Sequence, residues 1–144
     1  MFTVYFIKSL KFFLTAIPSQ AMLIPNHARY EDEVMDSRLL SGTVEMLILE
    51  VLSEANLYGY RIVRSVLERS QGTFELKEGS LYPALHRLER QKLLASYWEE
   101  ADGRRRKYYK LTAAGKKALA AKRDEWKQFS NGVNDVLGFN YGMA

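Results

Sequence analysis

The chain has 144 residues, 47% of them apolar and 26% charged, which is room for one ordinary domain with its own core and unlike a disordered, collagenous or fibrous chain. It contains no cysteine, which excludes a disulfide scaffold, a thiolate metal site, an iron–sulfur cluster and a cysteine nucleophile. Its two histidines, His27 and His86, stand 59 positions apart without a supporting carboxylate constellation, so no catalytic residues, metal ligands or cofactor are expected and the chain does not read as an enzyme.

The net charge of +4 is unevenly spread. Residues 1–35 hold three basic and three acidic side chains, whereas residues 85–123 hold twelve Lys/Arg against four Asp/Glu. One segment therefore carries the positive field.

Residues 1–34 differ from the rest. Phe2 to Ile17 is dominated by Phe, Val, Tyr, Ile and Leu but carries Lys8 and Lys11, and Pro18 and Pro25 preclude a continuous helix. The stretch is too short and too charged for a membrane span of roughly 20 apolar residues, and it lacks the basic start of an export signal. The reading preferred here is an N-terminal extension, disordered or loosely docked, with Met35 as a second candidate initiator. No stable membrane association is expected, and the expected location is cytoplasmic.

From Ser37 the helical period sets in. Leu40, Val44, Leu47, Ile48, Val51 and Leu52 form one face of a first helix, and Leu39 and Met46 extend the apolar surface to a second. Tyr60 to Ser70 resumes the pattern with Ile62, Val63, Val66 and Leu67 on one face and Arg61, Arg64, Glu68 and Arg69 on the other. Gln71 and Gly72 end this second helix, and Thr73 to Leu76 reads as a short strand. Gly79-Ser80 then supplies a break and an N-cap for a third helix, with Pro83 in its first turn. Leu81, Leu85 and Leu88 mark its core face, leaving Tyr82, Pro83, His86, Arg87 and Arg90 toward the other sides.

After Leu93 the period falls to about 2. Leu94 to Glu100 and Arg105 to Leu111 flank an Asp102-Gly103 pair, the signal of a β-hairpin, and alternation separates Tyr109 and Leu111 from Arg106, Tyr108 and Lys110. Thr112 caps a last helix to about Leu137. Its apolar residues Leu119, Trp126, Phe129, Val133 and Val136 follow a heptad-like seam that a partner chain would cover, which predicts a homodimer.

The expected fold is mainly α with a small β-hairpin: a winged helix-turn-helix domain over residues 37–111 and a C-terminal dimerisation helix over 112–137. The run Glu78-Gly79-Ser80-Leu81-Tyr82-Pro83-Ala84-Leu85-His86-Arg87-Leu88-Glu89, followed by Gly103-Arg104-Arg105-Arg106-Lys107-Tyr108-Tyr109 and Leu111-Thr112-Ala113-Ala114-Gly115, resembles the PadR family of bacterial transcriptional regulators. Leu57-Tyr58-Gly59-Tyr60 resembles that family's opening of the second helix. The resemblance implies a dimeric operator-binding regulator, usually a repressor, released in some members by small aromatic or phenolic compounds, and the length of the last helix resembles the short form. The N-terminal extension departs from the family.

The residues themselves support a DNA contact. Ser80 and Tyr82 stand at the start of the third helix, within reach of phosphates or base edges; the lesser alternatives are Ser80 as a cap alone and Tyr82 as packing against the hairpin. Arg87 is a candidate for guanine recognition or phosphate anchoring, Pro83 lies beside it, and Lys77 precedes the helix as a phosphate contact. Gly103 lets the hairpin tip approach a backbone closely, and Arg104, Arg106 and Lys107 belong to four consecutive cations beside it. Trp126 and Phe129 read first as dimer core and second as a stacking pocket for an effector. His86 reads as a packing or surface residue. The competing reading is a winged-helix protein–protein interaction module without direct DNA readout.

Overall fold

A computed structural model describes residues 40–139 of the chain, and the expectations for residues 1–34 lie outside them. Among the described residues four helices and three strands follow in the order α1 (Val44–Leu52), β1 (Leu57–Tyr58), α2 (Gly59–Arg69), α3 (Glu78–Arg90), β2 (Leu94–Ala101), β3 (Arg104–Leu111) and α4 (Ala113–Leu137).

The apolar periodicity places α1 at the centre. Val44, Ile48, Leu49, Val51 and Leu52 are buried on it, and they meet Ile62 and Val66 of α2 and Leu81, Ala84, Leu85 and Leu88 of α3. Burial of aliphatic side chains at this density is the main stabilising term of the domain, about 25 cal/mol per Å² of apolar surface removed from water. The first helix is shorter than its periodicity suggests. A turn at Gly42-Thr43, in which the Thr43 N–H and hydroxyl both donate to the Leu40 carbonyl (2.8 and 3.0 Å), separates Leu40 from α1.

The sheet order is β1-β3-β2, antiparallel throughout. The hairpin runs from Leu94 opposite Leu111 to Ala101 opposite Arg104, closed by the two-residue turn predicted at Asp102-Gly103. Both turn residues have positive φ, 54° and 70°, the twist that a tight hairpin demands and that glycine adopts without steric cost.

The short strand lies elsewhere than expected. Thr73 to Leu76 forms none: the Phe74 N–H donates to the Ser70 hydroxyl at 3.0 Å and the Thr73 N–H to the Ser70 carbonyl at 3.1 Å, which turns the segment into a loop that buries Leu76. The third strand is Leu57–Tyr58, paired with Tyr109 and Tyr108, in a stretch whose apolar pattern is only two residues long.

Helix α4 begins as predicted. Thr112 is its N-cap: its hydroxyl accepts from the Gly115 N–H at 3.0 Å and donates toward the carbonyls of Lys92 and Leu93 at 2.8 and 3.0 Å. The helix does not start a separate unit at residue 112. Gly115 is buried, so close to β2 that a Cβ there would lie 2.1 Å from the Leu93 carbonyl oxygen, and Leu119 joins the core. Arg123 continues the attachment with two hydrogen bonds to the Glu50 carboxylate of α1, 2.8 and 2.7 Å.

Candidate nucleic-acid interface

Helix α3 presents one apolar and one polar side because Leu81, Ala84, Leu85 and Leu88 recur at helical spacing and all four are buried. The helix starts one turn earlier than Gly79-Ser80 suggested: Lys77 holds the N-cap position, with no side-chain cap hydrogen bond, and Ser80 lies inside the first turn with its N–H donated to the Lys77 carbonyl at 3.0 Å. Ser80 is therefore not the cap, and its exposed hydroxyl is left for an outside partner. Pro83 sits in the second turn rather than the first, where it removes an N–H that would have bonded to the Gly79 carbonyl. It too is exposed.

The polar side divides toward two neighbours. Tyr82 and His86 look across at the hairpin, while Arg87 turns toward α1 and donates from Nε to Glu45 Oε1 at 2.9 Å. Arg87 is thus committed inside the domain, to a partner 42 positions away that local spacing does not reveal. Tyr82 does not pack only on the hairpin: its phenol oxygen lies where a Cβ on Gly59, the first residue of α2, would come within 2.9 Å, and 41% of the residue remains exposed.

The hairpin distributes its cations just as unevenly. Arg104 is exposed at the tip beside Gly103. Arg105 lies over the Trp98 ring at 5.0 Å and Arg106 over the Tyr58 ring at 4.3 Å, so each guanidinium is oriented by an aromatic face. Lys107 Nζ donates to Glu89 Oε2 at 3.2 Å and sits 5.2 Å from the Tyr109 ring centre. Cross-strand alternation explains the sorting. Arg106 and Tyr108 share a face with Tyr58 and Tyr97, where Tyr97 and Tyr108 stack at 5.7 Å, while Lys107 and buried Tyr109 face α3.

Together α3, the start of α2 and the hairpin enclose an open groove of about 710 Å³. Tyr82 and His86 form one wall, Tyr58 and Tyr60 the end, and Trp98 with Arg104, Arg105, Arg106 and Lys107 the other wall. The groove brings Tyr82, Arg104, Arg106 and Lys107 of the predicted set together; Lys77, Ser80 and Pro83 are exposed but do not line it, and Arg87 is paired with Glu45 of α1. Sequence reasoning missed Tyr58, Tyr60, Trp98 and Glu89. The first three belong to short or alternating stretches whose partners become visible only once β1 is paired.

Two titrations are perturbed here. The Ser96 hydroxyl, which donates to Glu89 Oε1, and after it the Lys107 ammonium hold the Glu89 carboxyl below the usual carboxylate range against the opposing effect of its partial burial. Burial pushes the Tyr109 phenol up, with Lys107 opposing. Among the described residues no group of His, Asp or Glu is placed to hold a metal ion.

The predicted seam on α4 divides as well. Trp126, Phe129, Val133 and Val136 are exposed, Val136 by 87%, and the Trp126 and Phe129 rings lie 5.7 Å apart. Leu119 does not belong with them: at 3% exposure it is part of the domain core, because the first turns of α4 are pinned to β2 and α1.

The chain resembles known regulators over the same elements. The family model for the transcriptional regulator PadR-like family matches residues 48–121, from α1 into α4. A transcriptional regulator of Mycobacterium tuberculosis is 33% identical over 97 residues, 67% of this chain and 85% of that protein. Among solved structures, a PadR family transcriptional regulator from Eggerthella lenta is similar with a TM-score of 0.64 and 36% identity, covering 76% of this chain and 96% of that one. A transcriptional regulator from Clostridium thermocellum gives a TM-score of 0.65 at 33% identity, over 69% of this chain and 97% of that one. With a winged helix-turn-helix fold, a cationic wing and a family match over residues 48–121, the chain belongs to the PadR-like family and is a DNA-binding transcriptional regulator, not an enzyme.

Proposed function

We propose that this regulator acts as a homodimeric repressor on a pseudo-palindromic operator, with α3 in the major groove and the β2–β3 wing on the adjoining backbone. The observation that carries the reading is the groove lined by Arg104, Arg105, Arg106 and Lys107 together with Tyr82 of α3. A phosphate backbone is the polyanion that fits a cationic wall set beside an exposed helix. In this reading Lys77, Ser80, Tyr82 and Pro83 meet the DNA from α3, and Gly103, Arg104, Arg106 and Lys107 from the wing. Arg87 joins them only by exchanging Glu45 for a phosphate. Pairing through Trp126, Phe129, Val133 and Val136 sets two α3 helices to successive major grooves about 34 Å apart.

The same seam gives an aromatic effector a surface: Trp126 and Phe129 are adjacent and exposed on α4, so a planar ligand stacking there would bias the spacing of the two wings. Residues 1–34 are taken as an extension to the regulatory unit of residues 37–137, which acts on the chromosome in the cytoplasm. Among the described residues no helix is long and apolar enough to cross a membrane.

The test starts with selection of bound duplex fragments from host genomic DNA, followed by titration of a selected fragment against salt. With about six phosphate contacts per dimer, affinity drops by orders of magnitude between dilute and physiological salt. Replacing Arg104, Arg106 and Lys107 together by Gln abolishes binding. A variant that binds the fragment as well as the parent, with an unchanged salt slope, would favour the protein–protein interaction module instead.

A further inference from the structure

Glu89 carries a negative charge at the edge of a surface that must attract DNA, and simple electrostatics would count it as a cost. It stands on the last turn of α3, and its two carboxylate oxygens reach both strands of the wing: Oε1 accepts from the Ser96 hydroxyl on β2, and Oε2 from Lys107 Nζ on β3 at 3.2 Å. These two contacts are the side-chain hydrogen bonds recorded between α3 and the wing among the described residues. Elsewhere on the groove wall Arg105 lies over Trp98 and Arg106 over Tyr58. The carboxylate is half-buried between helix and sheet, and the surrounding donors keep it ionised.

We propose that Glu89 is a positioning residue for DNA recognition: a two-strand clamp that fixes the angle between the reading helix and the wing, so that base contacts and backbone contacts are made in one register. The proposal rests on the DNA-binding reading above. A clamp and a mere charge make opposite predictions for Glu89→Gln. Removing the acid frees Lys107 and strengthens the positive field, which on charge alone tightens binding to every duplex. Loosening the clamp instead separates the two sets of contacts, and binding to the selected operator weakens.

The experiment measures fluorescence anisotropy with two labelled duplexes, the selected genomic fragment and a scrambled fragment of equal composition, for the parent, Glu89→Gln, Lys107→Gln and the double variant, each over a salt series. The clamp predicts that Glu89→Gln loses roughly tenfold in operator affinity, the scale of one charge-assisted hydrogen bond, while scrambled DNA is bound as well or better. Its salt slope steepens by about one per protomer as Lys107 turns to phosphate. At the operator the double variant loses less than the sum of the two single losses, because Glu89 and Lys107 share one of the two clamp contacts. Thermal melts of all four proteins separate these changes from unfolding. Equal or tighter operator binding by folded Glu89→Gln overturns the clamp while leaving DNA binding intact, as does equal loss on both duplexes. Failure of the parent itself to bind any duplex overturns instead the reading on which the clamp rests.

Discussion

Two glycines show how one missing methyl group serves different ends. At Gly115 a Cβ would meet the Leu93 backbone carbonyl at 2.1 Å, and that oxygen is held in place by the Thr112 N–H and hydroxyl. Gly115→Ala is expected to cost about 3 kcal/mol, read as a fall in melting temperature, in line with overpacked sites. At Gly59 the obstructing atom is the phenol oxygen of Tyr82 at 2.9 Å, the free end of a side chain that can swing away. Gly59→Ala therefore leaves stability within about 1 kcal/mol, yet displaces Tyr82 from the groove wall and lowers operator affinity. The Glu89 carboxyl supplies a third test. Its folded value is depressed, so the stability it contributes is complete above the ordinary carboxylate pKa and is lost as pH falls through the lowered value. Melting curves from neutral to acid pH show that part of the acid sensitivity in the parent and lack it in Glu89→Gln.

At the scale of elements, α1 is the hub. Glu45 holds Arg87 of α3, and Glu50 holds Arg69 of α2 at 3.4 Å as well as Arg123 of α4. These pairs are exposed enough that each adds no more than about 1 kcal/mol; their value lies in fixing how three helices surround one. The junction between wing and α4 depends on a single hydroxyl. Thr112→Ala removes a cap that bonds both to α4 and to the turn before β2, and is expected to cost about 1 kcal/mol in denaturant titrations, with Thr112→Ser restoring most of it. The wing shows the same economy. Arg105, Arg106 and Lys107 are oriented by Trp98, Tyr58 and Glu89, so less conformational freedom is lost when a phosphate arrives.

For the whole molecule, the decisive feature is a helix that outruns its own core. The first turns of α4 bury Gly115 and Leu119 against the domain, and from Trp126 onward its apolar residues face outward, Phe129 by 63%. Leu119→Ala and Trp126→Ala separate the two regimes. The first opens a cavity and is expected to destabilise the folded chain by about 2–5 kcal/mol; the second leaves the domain folded and weakens self-association in sedimentation equilibrium. Loss of effector response in Trp126→Ala with the dimer retained would place the ligand at the seam, whereas loss of the dimer assigns Trp126 to the interface alone.

The sequence by itself determined the periodic parts of this protein. The helical faces of α1, α2 and α3, the Asp102-Gly103 hairpin, the Thr112 cap and the basic run at Arg104 to Lys107 follow from local spacing and from residues whose backbone preferences are strong. What required the tertiary structure were contacts between positions far apart in the chain. The strand Leu57–Tyr58 exists only because β3 offers it an edge, and Arg87 is claimed by Glu45 only because α3 crosses α1. Leu119 leaves the seam for the core because Gly115 lets α4 lie against β2, and Glu89 meets Ser96 and Lys107 only when the wing folds back on α3. Periodicity records which side of an element is apolar; the partner it meets is settled by how the elements close on one another, and that information is nonlocal.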